Sequence, residues 1–256
     1  MSIVAEIASA IEAVVPTADR PVVVYASAWP FLRKMGRNDR DAVEALLTCT
    51  LDALGDRTVL MPTFSRGYVD GVCHLDREPS ITGAMTECFR NRPGVRRTLS
   101  AFFSFGVGGD RDPDLLDLVA DHAWGPGSCY EWMERRNAHL LMLGTHPTQC
   151  SYLHRLEWLA RDIIDFRYEK TFVGRLFREG ASYDMTENLL VRRLDPPVVM
   201  DFAALEPPLR EAGMAQRTVA GASIASYDAA AAVACALPVL RRDPWAIVRN
   251  REEYGR

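Results

Sequence analysis

Apolar and polar positions along this chain alternate between helical spacing and short, unbroken apolar runs. Residues 1–16 have helical spacing and stop near Pro16. Residues 21–27 (PVVVYAS) form a β-branched run between turn residues, the mark of a buried strand, which Trp29-Pro30 breaks. From 39 to 54 the spacing of Val43, Leu46, Leu47, Thr50, Leu51 and Leu54 predicts a helix, with Asp39 as N-cap and Gly55 as its stop. Residues 58–62 and 138–144 predict two further core strands, and β-α-β order with a covering helix implies parallel pairing.

Shorter helices are predicted over 81–90, 112–122, 129–136, 150–160, 201–212 and 227–242, and a strand over 217–224. Residues 99–109 mix glycine with aromatics, as suits backbone packed close to a neighbour. Residues 166–195 read as an antiparallel β extension. Residues 63–80 have no periodicity and read as a substrate or lid loop, because long structureless loops in compact domains usually bind something. The expected fold is α/β, with three α/β/α layers around a mainly parallel central sheet and a small antiparallel extension in the C-terminal half. At 256 residues, one domain over 1–256 is expected.

Composition narrows the function classes. A formal net charge of -4 argues against a general nucleic-acid binder. No apolar run approaches the ~20 residues that a membrane helix requires. The acidic Glu6 and Glu12 in the opening helix do not suit a leader peptide. Six scattered cysteines without metal-type spacing suit a reducing, cytoplasmic setting and no metal site.

The chemistry concentrates in the strand-turn-helix of residues 138–158. His154 and Glu157 stand three apart on one helix and share a face. A carboxylate beside an imidazole fixes its tautomer, as a general base requires. The same spacing also serves as an ordinary surface ion pair. A metal reading has no second partner.

In order along the chain, VVVYASAW (22–29), RTVLMPTFS (57–65), ITGAMTECFRNRPGVRRTLSAFFSFGVGG (81–109) and HAWGPGSCYEWMERRNAHLLMLGTHPTQCSYLHRLE (122–157) resemble the aminoglycoside 3-N-acetyltransferase family. The resemblance spans roughly 22–247. It implies transfer of acetyl from acetyl-CoA to an amino group of a small-molecule acceptor, an amino sugar or aminoglycoside, with no nucleic-acid or membrane partner. It maps the catalytic histidine on His154 and its acidic partner on Glu157. It implicates Ser27, Thr63, Ser65, Arg90, Arg97, Ser104 and Ser128 in holding CoA, with Ser104 or Thr63 facing the oxyanion. Tyr68, Asp70 and Cys150 are the expected acceptor contacts, and Asp70, Asp76 and Glu78 the carboxylates available to a cationic acceptor. The family's His-Pro is here Ser100-Ala101, and its Asn-Thr is Gln149-Cys150. These departures leave two other readings open: a noncatalytic CoA-binding homologue, or an acyl-enzyme formed on Cys150. A third reading has Trp124, Tyr130 and Trp132 as an exposed docking patch.

Overall fold

The computed structural model describes residues 2–15, 19–109, 112 and 114–256. The N-terminal half runs α1 (Ile3–Val14), β1 (Val22–Ala26), α2 (Trp29–Met35), α3 (Arg40–Leu54), β2 (Val59–Pro62), β3 (Val72–His74), α4 (Ala84–Arg90), β4 (Arg96–Arg97) and β5 (Phe105–Gly108). The remainder runs α5 (Cys129–Arg135), β6 (His139–Leu143), α6 (Leu153–Leu159), β7 (Arg167–Arg178), β8 (Ala181–Arg192), α7 (Glu206–Glu211), β9 (Ala215–Val219), β10 (Ala222–Asp228) and α8 (Ala229–Arg242).

Seven strands form the central sheet in the order β4-β5-β2-β1-β6-β10-β9. β1 pairs in parallel with β2 and β6 at its centre, and antiparallel pairs join the outer strands, so that only β5 and β10 run against the rest. Strand alternation builds the layers. Val22 and Val24 face one apolar core with residues of α1, α3 and α4, while Val23 and Tyr25 face the other with α5, α6 and α8. Each face of the buried strands is therefore covered by helices, as parallel pairing requires. The β7–β8 hairpin turns at Glu179-Gly180, both at positive φ, and with β3 makes a second, three-stranded sheet.

Asp39 caps α3 by accepting from the Ala42 N–H at 2.9 Å, as its sequence predicts. Other elements differ from expectation. Trp29-Pro30 does more than end β1: proline occupies the first turn of α2, where its missing N–H leaves nothing unpaired. The expected helix over 112–122 is only a 3-10 turn at Leu115–Asp117. Two strands, β9 and β10, replace the single one expected near 217–224, joined through Ala220 and Gly221 at positive φ. The 63–80 segment contains β3, which ties it to β7. The expected end of α1 at Pro16 lies outside the described residues. No helix among the described residues is long and apolar enough to cross a membrane.

Candidate active site

Ligands in open α/β sheets gather beyond the carboxyl ends of the strands. At the end of β6 the chain turns sharply through Gly144, at φ 73° and with its N–H on the Ser223 carbonyl at 2.8 Å. A Cβ there would lie 2.4 Å from the Ser27 carbonyl oxygen, so the close approach to the end of β1 needs glycine. The chain then runs over the sheet edge into α6, and a cleft of about 880 Å³ opens there, within the usual range of small-molecule sites.

Five rings in successive contact line this cleft. Centroid distances are 5.0 Å for Phe64–Phe103, 4.9 Å for Phe103–Trp124, 5.4 Å for Trp124–His154 and 5.4 Å for His154–Phe202. The imidazole of His154 thus contacts both Trp124 and Phe202.

His154 Nδ1 lies 2.5 Å from Glu157 Oε2. Glu157 is 1% exposed, and Arg167 at the start of β7 holds it with Nε at 2.5 Å from Oε1 and Nη2 at 2.8 Å from Oε2. Arg167 Nη1 donates to the Leu190 carbonyl at 3.0 Å, fixing the guanidinium to the hairpin. Burial pushes the Glu157 carboxyl up, but the charges of Arg167 and His154 outweigh it and hold the carboxyl below its ordinary value. An ionised carboxylate only accepts, so Nδ1 carries the proton, and it is in the neutral ring that Nε2 keeps a free lone pair. Such a nitrogen can take a proton from a neighbour in the cleft.

The structure brings few of the other expected residues to this cleft. Thr63, Ser65, Arg97 and Ser104 form a separate buried network. Arg97 donates from Nε and Nη2 to Ser104 Oγ (3.0 and 2.7 Å), from Nη1 to the carbonyls of Leu75 (2.9 Å) and Glu78 (2.8 Å), and from Nη2 to the Thr63 carbonyl. Every donor is occupied, so Arg97 has none to offer a CoA phosphate. Thr63 Oγ1 donates to the Ser104 carbonyl, Ser104 Oγ to the Thr63 carbonyl and Ser65 Oγ to the Ala101 carbonyl, so neither expected oxyanion hydroxyl faces the cleft. Their neighbours Phe64 and Phe103 take that side instead.

Arg90 pairs with Glu87 on its own helix, and Ser128 caps α5, accepting from the Glu131 N–H at 3.2 Å. Ser27 donates its N–H to the Leu143 carbonyl beside Gly144 and is not among the cleft-lining residues. Tyr68 packs edge-on against Phe102 in a satellite core, 5.7 Å between centroids. Asp70 sits exposed at positive φ, Asp76 accepts from the Glu179 N–H at 2.7 Å, and neither these nor Glu78 line the cleft.

Cys150 does line it, but precedes α6, so the helical alignment with His154 expected from sequence does not form. Its sulfur is 3.2 Å from the Tyr227 hydroxyl, and burial pushes the thiol up to about 11, against a thiolate nucleophile. Trp124, Tyr130 and Trp132 are buried, which removes the exposed-patch reading.

Sequence reasoning missed Arg167 and the aromatic row. Arg167 lies outside the motif helix, and only the basic character of the 166–195 stretch hinted at it. Ser151, also missed, lines the cleft with its Oγ accepting from Tyr130 Oη at 2.9 Å and donating to Tyr25 Oη at 3.2 Å.

The profile of a protein family described as aminoglycoside 3-N-acetyltransferase matches residues 32–241. No curated protein sequence matches the chain. Among solved structures, the YokD protein from Bacillus subtilis is similar at TM-score 0.74 and 18% identity, covering 94% of each chain. The CoASH complex of AAC-IIIb is similar at TM-score 0.73 and 20% identity, over 94% of this chain and 97% of that one. Sisomicin-bound AAC-VIa is similar at TM-score 0.70 and 23% identity, over 93% of this chain and 97% of that one. At these identities the likeness establishes a shared fold.

Proposed function

Because the chain belongs to the aminoglycoside 3-N-acetyltransferase family, a family of N-acyltransferases, we propose that it moves acetyl from acetyl-CoA to an amino group of an amino sugar or aminoglycoside-like acceptor. The observation that carries this reading is the buried, arginine-held Glu157 on Nδ1 of a cleft-lining His154. A structure similar in fold is solved with CoASH and another with sisomicin, which supports a thioester donor and an amine acceptor.

In this mechanism His154 Nε2 removes a proton from the acceptor amine as its nitrogen attacks the thioester carbonyl. The carbon–nitrogen bond forms, the carbon–sulfur bond breaks, and the proton on the imidazole passes to the departing thiolate. Glu157 stays ionised, orients the ring and offsets its transient positive charge. A base is needed because free amines near neutral pH are mostly protonated. The chain acts as one acyltransferase domain, and its 63–80 segment frames the cleft through Phe64.

His154→Ala tests the reading. It is expected to lower kcat by about 10³-fold, within the range of general-base catalysis. Acetyl-CoA binding, measured by calorimetry, is expected to persist. Near-normal thiol release by this variant would remove the proposal. It would leave the Cys150 reading, which the raised Cys150 thiol already disfavours.

A further inference from the structure

The charge of the cleft bears on which amine enters it. A polycationic acceptor sheds water from several ammonium groups at once, and each needs a carboxylate to replace that hydration. Asp201 is the sole carboxylate lining the cleft among the described residues. It is already engaged, with Arg249 Nε at 3.2 Å and the Ala203 N–H at 3.1 Å. Glu157 is buried behind Arg167. Glu206, near the same end, holds His146 at 3.0 Å and also pairs with Arg210.

Positive charge is more plentiful. Arg167, Arg192 and Arg249 all line the cleft. Arg192 donates to the Val198 carbonyl at 3.4 Å and has no carboxylate partner among the described residues. Some of this charge suits the phosphates of a CoA donor. Arg192, which has no carboxylate partner among the described residues, also repels an acceptor bearing several ammonium groups. Much of the remaining surface is apolar, made by the ring row with Leu189, Leu190 and Val191 from β8, and the neutral Thr148, Gln149 and Ser151 add polar groups but no carboxylate. An aromatic face attracts one ammonium, which helps a monoamine but does not replace a set of carboxylates.

We infer that the acceptor is a monoamine carried on an apolar or aromatic framework, such as an amino sugar with an aromatic aglycone, and not a polycationic aminoglycoside. Its flat body lies along the aromatic row, and its single amine reaches His154. This inference rests on the acyl-transfer reading and narrows its acceptor.

Thiol release with acetyl-CoA is measured for two acceptors, p-nitrophenyl 2-amino-2-deoxyglucoside and gentamicin. The expected result is kcat/KM at least about tenfold higher for the monoamine, a margin of about 1.4 kcal/mol. Leu194→Asp and Arg249→Gln then add a carboxylate and release Asp201. Leu194 is 68% exposed, so the first change does not threaten the fold. The two changes together should move the acceptor ratio toward gentamicin by about tenfold. Taking the ratio cancels any effect on acetyl-CoA. Gentamicin turned over as well as or better than the monoamine would overturn the inference while upholding acyl transfer. No thiol release with either acceptor would remove the transferase reading and this inference with it.

Discussion

Arg97 is buried and the Arg167 side chain is 7% exposed, yet they face different kinds of partner. Arg97 spends its donors on three neutral carbonyls and a hydroxyl, joining residues 63, 75, 78 and 104 into one floor. Burial, with Arg90 nearby, pulls its guanidinium down to about 10. Arg167 spends its donors on a carboxylate whose other contact is the imidazole at the cleft. The first arginine closes a structure; the second sets the state of an acid beside a base. The residue at the far end of the hydrogen bond decides which role an arginine takes, and burial alone does not.

Glu157→Gln should break the active-site half of this contrast most severely. It leaves Arg167 without its counter-charge and Nδ1 without a fixed acceptor. We expect kcat to fall about 10²-fold and stability by about 3–5 kcal/mol, read from turnover and denaturant unfolding. Since the folded Glu157 carboxyl sits below its ordinary 4.5, the stability that it contributes is present above that value and is lost as pH falls through the folded value. The glutamine variant should lack this acid-side loss. Wild-type turnover and stability in Glu157→Gln would erase the distinction between the two arginines.

Arg97→Gln sharpens the comparison from the other side. Several buried carbonyls lose their donors, so stability should drop by about 3 kcal/mol in denaturant unfolding. The KM for acetyl-CoA should stay within about twofold, because no Arg97 donor is available to a phosphate. A large rise in KM with little loss of stability would show Arg97 to be a ligand contact after all.

Glu187 supplies the smallest and most specific test. It is a buried carboxyl held by the Ala101 N–H at 2.6 Å and by Ser100 Oγ at 3.3 Å, with no ion-pair partner among the described residues. Burial raises it to about 7, above its ordinary 4.5. Its contribution is complete below 4.5 and declines as pH rises toward 7. Glu187→Gln should flatten that decline by about 1–3 kcal/mol, seen as a Tm less sensitive to pH over this window.

Much of the scaffold was legible because its signals are local. The apolar runs at β1, β2 and β6 and the capped pattern of α3 name buried elements directly. The spacing of His154 and Glu157 placed both on one helix face. What was not legible depends on direction and distance. Thr63, Phe64 and Ser65 are consecutive, and only the folded chain shows that Phe64 turns to the cleft while its neighbours turn away. Arg167 and Glu157 meet across a break between helix and hairpin that no periodicity spans. Cys150 aligns with His154 only on a helix extended to residue 150, and α6 begins three residues later.

The β7–β8 hairpin is pinned at both ends, to different parts of the molecule. Its first residue, Arg167, grips Glu157 of the proposed catalytic pair, whereas its tip at Glu179-Gly180, eleven rungs of paired backbone beyond, is held by Asp76 and Arg96. Extra residues spliced into the tip would loosen only the contacts with Asp76 and Arg96, away from the cleft, while a one-residue insertion between Arg167 and Tyr168 would turn the guanidinium to the opposite face of the ribbon. For anyone grafting a tag or a partner onto this enzyme, the tip is the place to build and the root is the place to leave alone.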